Sequence, residues 1–304
     1  MSYLFAPQDG RLDTVLDTDA YNEIDDQFAI AYMLKSQDRL NTVAIYAAPF
    51  TNSRSTGPAD GMQKSYDEIL KVIGLCGRDD LAPSVFRGSE AYLPDERTPV
   101  VSDAARDLAR RAMDYTPERP LWVVTIGAPT NIAAALLLEP RIADRIYVIL
   151  LGGHARWARD TAEFNIRQDY AAARVIFSKT RVVQLPCVGV TNEFRISKPE
   201  LMEWFLGKNP IADYLARNTI EEAEKTAAEG HCWTRVIWDV VGIACLLDGG
   251  TKRFMSFDRL PVLLPGYDGF YEKEPIGREE ICVHHIYRDR IMTDLVDKLT
   301  LTEE

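Results

Sequence analysis

The chain has 304 residues, 46% of them hydrophobic, and sets 46 acidic side chains against 35 basic ones for a formal net charge of −11. That length buries a sizeable core, and without a Gly/Ser/Pro linker or low-complexity tract it predicts one α/β domain over residues 1–304. The acidic balance argues against a nucleic-acid polymer or an anionic membrane as partner. No leader and no apolar run of about 18 residues stands out, and five cysteines without a CxxC pair read as reduced thiols of a cytoplasmic protein.

In chain order, the apolar run ending in Val15 and Leu16 reads as a buried strand, and Phe28 to Leu34 as the apolar side of a helix. The junction between them carries Asp17, Asp19, Asp25 and Asp26. Asp25 and Asp26 fall at the helix start, where carboxylates can cap orphan N–H groups and meet the positive end of the dipole. Capping leaves Asp17 and Asp19 unexplained, because like charge this dense is repulsive unless a cation sits within it. A hard divalent ion held by carboxylate oxygens answers that. An EF-hand loop starting at Asp17 fails, with Tyr21 fifth, Asn22 where glycine is required and Phe28 where glutamate is required. Two alternatives stay open: a solvated acidic loop, and a phosphatase-type DxD with Asp17 as nucleophile, which gives Asp25 and Asp26 no task. The carboxyl end of a buried strand is where open α/β sheets build sites.

Thr42 to Ala48 reads as a second strand and Gly61 to Leu75 as a helix, with a long loop, Pro49 to Asp60, at the same sheet end as the aspartates. A short strand from Ser84 to Arg87 and a helix from Asp103 to Met113 follow. Leu121 to Ile126 is a buried strand running into GAPTNIAAAL, where Thr130 or Asn131 can cap a helix. Arg145 to Leu151 is another strand, opening through Gly152 and Gly153 into HARWARDTAEFNIRQD, with a helix from Ala171 to Phe177. Arg181 to Cys187 is a strand leading into VGVTN, Val188 to Asn192. Helices are predicted over Lys198–Leu206, Pro210–Ala228, Arg235–Leu247 and Arg290–Leu301, with a strand over Cys282–Tyr287. Asp239 within the apolar RVIWDVVGIACLL is costly to bury unless paired or metal-bound.

Four of these segments, taken together and in order, resemble the inosine-uridine-preferring nucleoside hydrolase family: DTDAYNEIDDQFAI, the GAPTNIA turn after a strand, AEFN, and Asp239 in its apolar helix. The family's aspartate signature usually reads D-x-D-x-G-x-D-D. Here five residues, Ala20 to Ile24, stand where that pattern has three, and its glycine is missing. The resemblance implies a Rossmann-like nucleoside hydrolase fold, a mostly parallel central sheet flanked by helices. It implies a calcium ion held by Asp19, Asp26, Asp239 and the main-chain carbonyl of Ile126, with Asp25 as general base and Asp17 orienting its neighbours beside the substrate. It gives Glu163 and Asn165 the ribose hydroxyls; their other reading is a helix cap.

Two departures bear on substrate. Trp157 stands where the family has an asparagine at the sugar's 5′ end. Trp238 stands where many members have a histidine that protonates the leaving base; a purine-preferring branch has tryptophan there and stacks it on the base. His154 and His231 are candidate replacements for that acid. The expected activity is calcium-dependent hydrolysis of ribonucleosides, purine ones foremost, to ribose and free base, by a homodimer or homotetramer acting on a small-molecule nucleoside. The alternatives are hydrolysis of another ribosylated metabolite, to which Asn22 and Glu23 could reach, and a nucleoside- or sugar-binding relative without turnover.

Overall fold

Strands too apolar to leave either face in water organise the fold. In the computed structural model, which describes residues 5–7, 9–228 and 230–301, β1 (Leu12–Thr18), β2 (Leu40–Ala47), β3 (Val85–Phe86), β4 (Leu121–Thr125), β5 (Ile146–Leu151) and β6 (Arg181–Leu185) pair in parallel in the order β3-β2-β1-β4-β5-β6. Every residue of β4 is buried, as a parallel sheet covered on both sides requires. The sheet continues through β10 (Glu279–Ile286), parallel to β6, to the antiparallel edge strand β9 (Met255–Pro261).

Alternate strand residues feed two cores. Leu16, Val124 and Ile149 face α1 (Asp25–Lys35), α2 (Pro58–Leu75), α8 (Pro210–Glu224), α9 (Val240–Asp248) and α10 (Arg288–Thr300). Val15, Val123 and Val148 face α3 (Asp103–Arg111), α4 (Thr130–Leu138) and α6 (Tyr170–Lys179). The sheet is therefore mostly parallel with helices on both sides, as expected. The short α5 (Phe164–Gln168) precedes α6, and α7 (Lys198–Trp204) lies between β7 (Arg195–Ser197) and α8. β7 and β8 (Thr234–Val236) form a separate antiparallel pair.

Chain order reverses at β1, which lies between β2 and β4, and this crevice outside the carboxyl ends of the strands is the natural ligand position in an open α/β sheet. Ile126 N–H donates to the Asp17 carbonyl at 2.9 Å and Ala48 N–H to the Thr18 carbonyl at 2.8 Å, so β4 and β2 are tied to β1 right at the aspartates.

Three sequence expectations need correction. The helix predicted over Arg235–Leu247 begins only at Val240, because Thr234–Val236 pairs with β7 and Ile237 N–H is taken by the Phe194 carbonyl. The helix predicted to Ala228 ends at Glu224. β7 and β9 were not anticipated: one is three residues long, and the other is an edge strand whose outer half lacks an apolar alternation.

Candidate active site

The aspartates are delivered by one strand end and two helix starts. β1 carries Asp17 and leads to Asp19. Asp25 and Asp26 form the first turn of α1, whose N-cap Ile24 supplies no side-chain cap, and the Asp25 carboxylate accepts backbone N–H bonds from Asp25 itself and from Asp239. Asp239 occupies the N-cap position of α9 and likewise makes no side-chain cap. Asp25, Asp26 and Asp239 each offer a carboxylate oxygen within 4.8 Å of the others, all three buried. Two helix N-termini thus converge on one acidic cluster, and their dipoles soften its repulsion without removing it.

Asp19 is not a member of that triad, but it is 1% exposed and its Oδ2 has no hydrogen-bond partner. Burial, then the charges of Asp26 and Asp25, pushes the Asp19 carboxyl well above its ordinary value. Burial and the neighbouring aspartates do the same to Asp26 and Asp239, while burial and then Glu23 push Asp25 up to about 7. Asp26 is steadied by the Thr18 hydroxyl, which donates to its Oδ1 at 2.5 Å. Asp17 lies behind this group. Its carboxylate accepts from Thr125 Oγ1 at 2.9 Å and Asn131 Nδ2 at 2.8 Å, and burial pushes it up to about 7. Packed like charges, oxygen-only donors and an orphaned buried carboxylate oxygen fit a hard divalent cation.

A cavity of about 310 Å³ opens beside the cluster. Asp19, Asp25 and Asp239 line one part of it; Asp17 and Asp26 do not reach it. Gly127 lets the chain after β4 pass against Asp19, since a Cβ there would sit 3.0 Å from Asp19 N and 3.1 Å from its Cγ. Ile126, Glu163 and Asn165 are also in the lining. Asn165 Nδ2 donates to the Ile126 carbonyl at 2.9 Å and the Leu151 carbonyl at 3.2 Å, so the amide bridges the ends of β4 and β5. Glu163 caps α5: Oε1 accepts from Asn165 N–H, Oε2 from Ile166 and Gly153 N–H. Oε1 keeps a lone pair for a ligand hydroxyl, whereas both sites on Oε2 are taken.

Trp238 borders the cavity, whereas Trp157 does not: it is 75% exposed and packs against Gly189. His154 lines it, with Nδ1 accepting from Val188 N–H at 3.3 Å, and burial lowers its pKa. His231 lies elsewhere, beside an outer groove near β8. The loop residues Asn22 and Glu23 are pinned at the rim, Asn22 by Asn52 at 2.6 Å and Glu23 by Arg235 at 2.9 Å. Phe164, Cys187 and Asn192 also line the cavity; sequence reasoning gave none of them a role. The AEFN run that holds Phe164 and the VGVTN run that holds Asn192 and follows Cys187 were the available signal.

Among known proteins, the sequence model of the family described as inosine-uridine preferring nucleoside hydrolase matches residues 14–266. An inosine-uridine preferring nucleoside hydrolase of Crithidia fasciculata is 38% identical over 160 residues, covering 49% of this chain and 47% of the relative. One from Leishmania major is 28% identical over 180 residues, covering 58% and 55%. The chain thus spans about half the length of these curated relatives. A solved plant nucleoside hydrolase superposes with a TM-score of 0.76 at 19% identity, over 96% of this chain and 100% of its own, a likeness of fold.

Proposed function

The chain belongs to the inosine-uridine preferring nucleoside hydrolase family, and from that premise we propose that residues 1–304 act as one nucleoside-hydrolase domain that cleaves the N-glycosidic bond of ribonucleosides to ribose and free base. The observation that carries this reading is the meeting of Asp25, Asp26 and Asp239 next to a ligand-sized cavity, with Asp19 Oδ2 unpartnered beside them.

In this reading Asp19, Asp26, Asp239 and the Ile126 carbonyl hold the cation, calcium by the hardness and number of the donors. When bound, it supplies Lewis-acid chemistry, acidifying water and polarising ribose hydroxyls within its reach. Asp25, in the cavity wall and outside the set that holds the cation, accepts the proton of the attacking water. Glu163 accepts from a ribose hydroxyl while its backbone bonds fix its orientation, and Asn165 keeps the Ile126 carbonyl directed. Asp17, held by Thr125 and Asn131, braces the cluster from behind. The remaining carboxylates favour the positive charge of an oxocarbenium-like transition state. Trp238 offers a face on which a base, a purine in this reading, stacks. A homodimer or homotetramer in the cytoplasm completes the proposal; among the described residues no helix is long and apolar enough to cross a membrane.

The test is release of ribose from a panel of purine and pyrimidine nucleosides, with calcium and with chelator, for the parent and Asp25→Asn. Release that requires calcium and Asp25 is expected, with calcium still bound by the variant. Undiminished release from the variant would take the base role from Asp25.

A further inference from the structure

We propose that the ribonucleoside preferred by this cavity carries a positive charge on its base: an N-ribosylated cationic heterocycle, a pyridinium or an N7-alkylated purinium. The inference rests on the hydrolase reading above and narrows its substrate class.

The first observation is the sign of the lining. Asp19, Glu23, Asp25, Glu163 and Asp239 all border the cavity, and among the described residues no lysine or arginine does. A divalent cation offsets two of these charges and Arg235, from outside the cavity, pairs with Glu23 at 2.9 Å. The surplus is still negative. The second observation is aromatic. Trp238 and Phe164 both line the cavity, and aromatic faces attract cations, tryptophan most strongly.

The third is the lack of a strong acid for a leaving base. Trp238 supplies no proton. The His154 imidazole is a poor candidate: its Nδ1 already accepts the Val188 N–H, and burial lowers its pKa against the opposing charge of Asp160, 3.7 Å from Nε2. The Cys187 thiol is pushed well up by burial, then by the charge of Glu163. A neutral base such as hypoxanthine departs as an anion unless something protonates it. A cationic base needs no proton. The C1′–N bond breaks with its electron pair moving onto the ring nitrogen, which becomes neutral. The water oxygen bonds to C1′, and its proton passes to Asp25 and then to solvent. Charge balances with nothing else consumed: cation and water give ribose, neutral base and one proton.

The carboxyls alone would fit many cationic ligands. What selects an N-riboside is that the same cavity joins them to Glu163 and Asn165 at the ends of β4 and β5 and to the Trp238 face. A cationic ring is drawn by both charge and aromatic surface, and its departure asks nothing of a site poor in proton donors.

The experiment compares kcat/KM of the calcium-loaded protein for nicotinamide riboside and 7-methylinosine with that for inosine, uridine and nicotinate riboside. Nicotinate riboside keeps the pyridinium leaving atom but adds a carboxylate, so it separates attraction to net charge from the lability of the bond. The expected order has a cationic substrate about a hundredfold or more above inosine, and nicotinate riboside about tenfold or more below nicotinamide riboside, each tenfold step being 1.4 kcal/mol. The unreactive cation 1-methylnicotinamide should bind about tenfold tighter than neutral nicotinamide, read by tryptophan fluorescence, which does not depend on turnover. Glu23→Gln and Trp238→Leu should each shrink that binding ratio threefold or more, roughly the range of one cation–π contact. Preference in either cationic arm, pyridinium or purinium, sustains the proposal and names the ring. Inosine or uridine hydrolysed as fast as the cations, with no binding preference for 1-methylnicotinamide, overturns it and leaves the hydrolase reading standing. No ribose from any substrate overturns both.

Discussion

Asp239→Asn should make the metal-free protein more stable and the calcium-loaded protein less so. In the folded chain Asp239 shares a buried space with Asp25 and Asp26, carboxylate oxygens lying within 4.8 Å of one another. At that separation and an effective dielectric constant of about 20, each ionised pair costs roughly 3.5 kcal/mol. The parent escapes part of the cost by holding protons, since burial first and neighbouring carboxylates second raise all three carboxyls. Taking both into account, the amide should stabilise the metal-free fold by about 2–4 kcal/mol near pH 8. Calcium reverses the order. The parent gains about 4 kcal/mol at a thousandfold excess over its dissociation constant, whereas the variant has lost one carboxylate of the set. Urea unfolding of both proteins in chelator and in calcium measures all four stabilities. If the variant is no more stable than the parent in chelator, or gains as much from calcium, Asp239 is neither repelled by its neighbours nor a ligand.

Gly127→Ala presses a methyl group into Ala48 Cβ at 2.9 Å and into Asp19 N and Cγ at 3.0–3.1 Å; calcium affinity and turnover should each fall about tenfold with an unchanged circular dichroism spectrum, displacement of a ligand by a few tenths of an ångström being enough. Asn131→Ala removes the donor to Asp17 Oδ1 and leaves the Ser89 N–H without its acceptor, so unfolding should come about 2–4 kcal/mol sooner; a loss under 0.5 kcal/mol, about the size of an ordinary surface change, would count against the bracing role of that amide. Glu280→Gln tests a pH dependence. Burial raises Glu280 from 4.5 to about 7 against the opposing pull of Arg156, so the folded state binds this proton more tightly than the unfolded chain does. Its penalty is absent below about 4.5 and complete above about 7, and the parent loses stability as pH rises through that window. The glutamine variant lacks this loss, so its stability relative to the parent should rise by about 3 kcal/mol across the window; a relative stability that stays flat in urea titrations at both ends refutes the assignment.

The sequence by itself determined the alternation of buried strands with helices, because continuous apolar runs and helical spacing are local patterns; that the sheet is mostly parallel came from the family resemblance. It also placed Asp17, Asp19, Asp25 and Asp26 at one strand-to-helix junction, since fewer than ten residues separate them and no fold could scatter them far. The isolation of Asp239 in an apolar run marked it as needing a partner. Which partner it meets was decided by the packing of α9 against α1, which brings two helix starts face to face. Tertiary pairing also broke the predicted helix at Arg235: a strand partner in β7 and the carboxylate of Glu23 outweigh a helical spacing that is sound on its own. It set Trp157 outside the cavity and Trp238 beside it, although in sequence both are aromatic residues near a motif. Hydrophobic periodicity says how much of a side chain is buried. Only the closure of loops from distant strands says what that side chain faces.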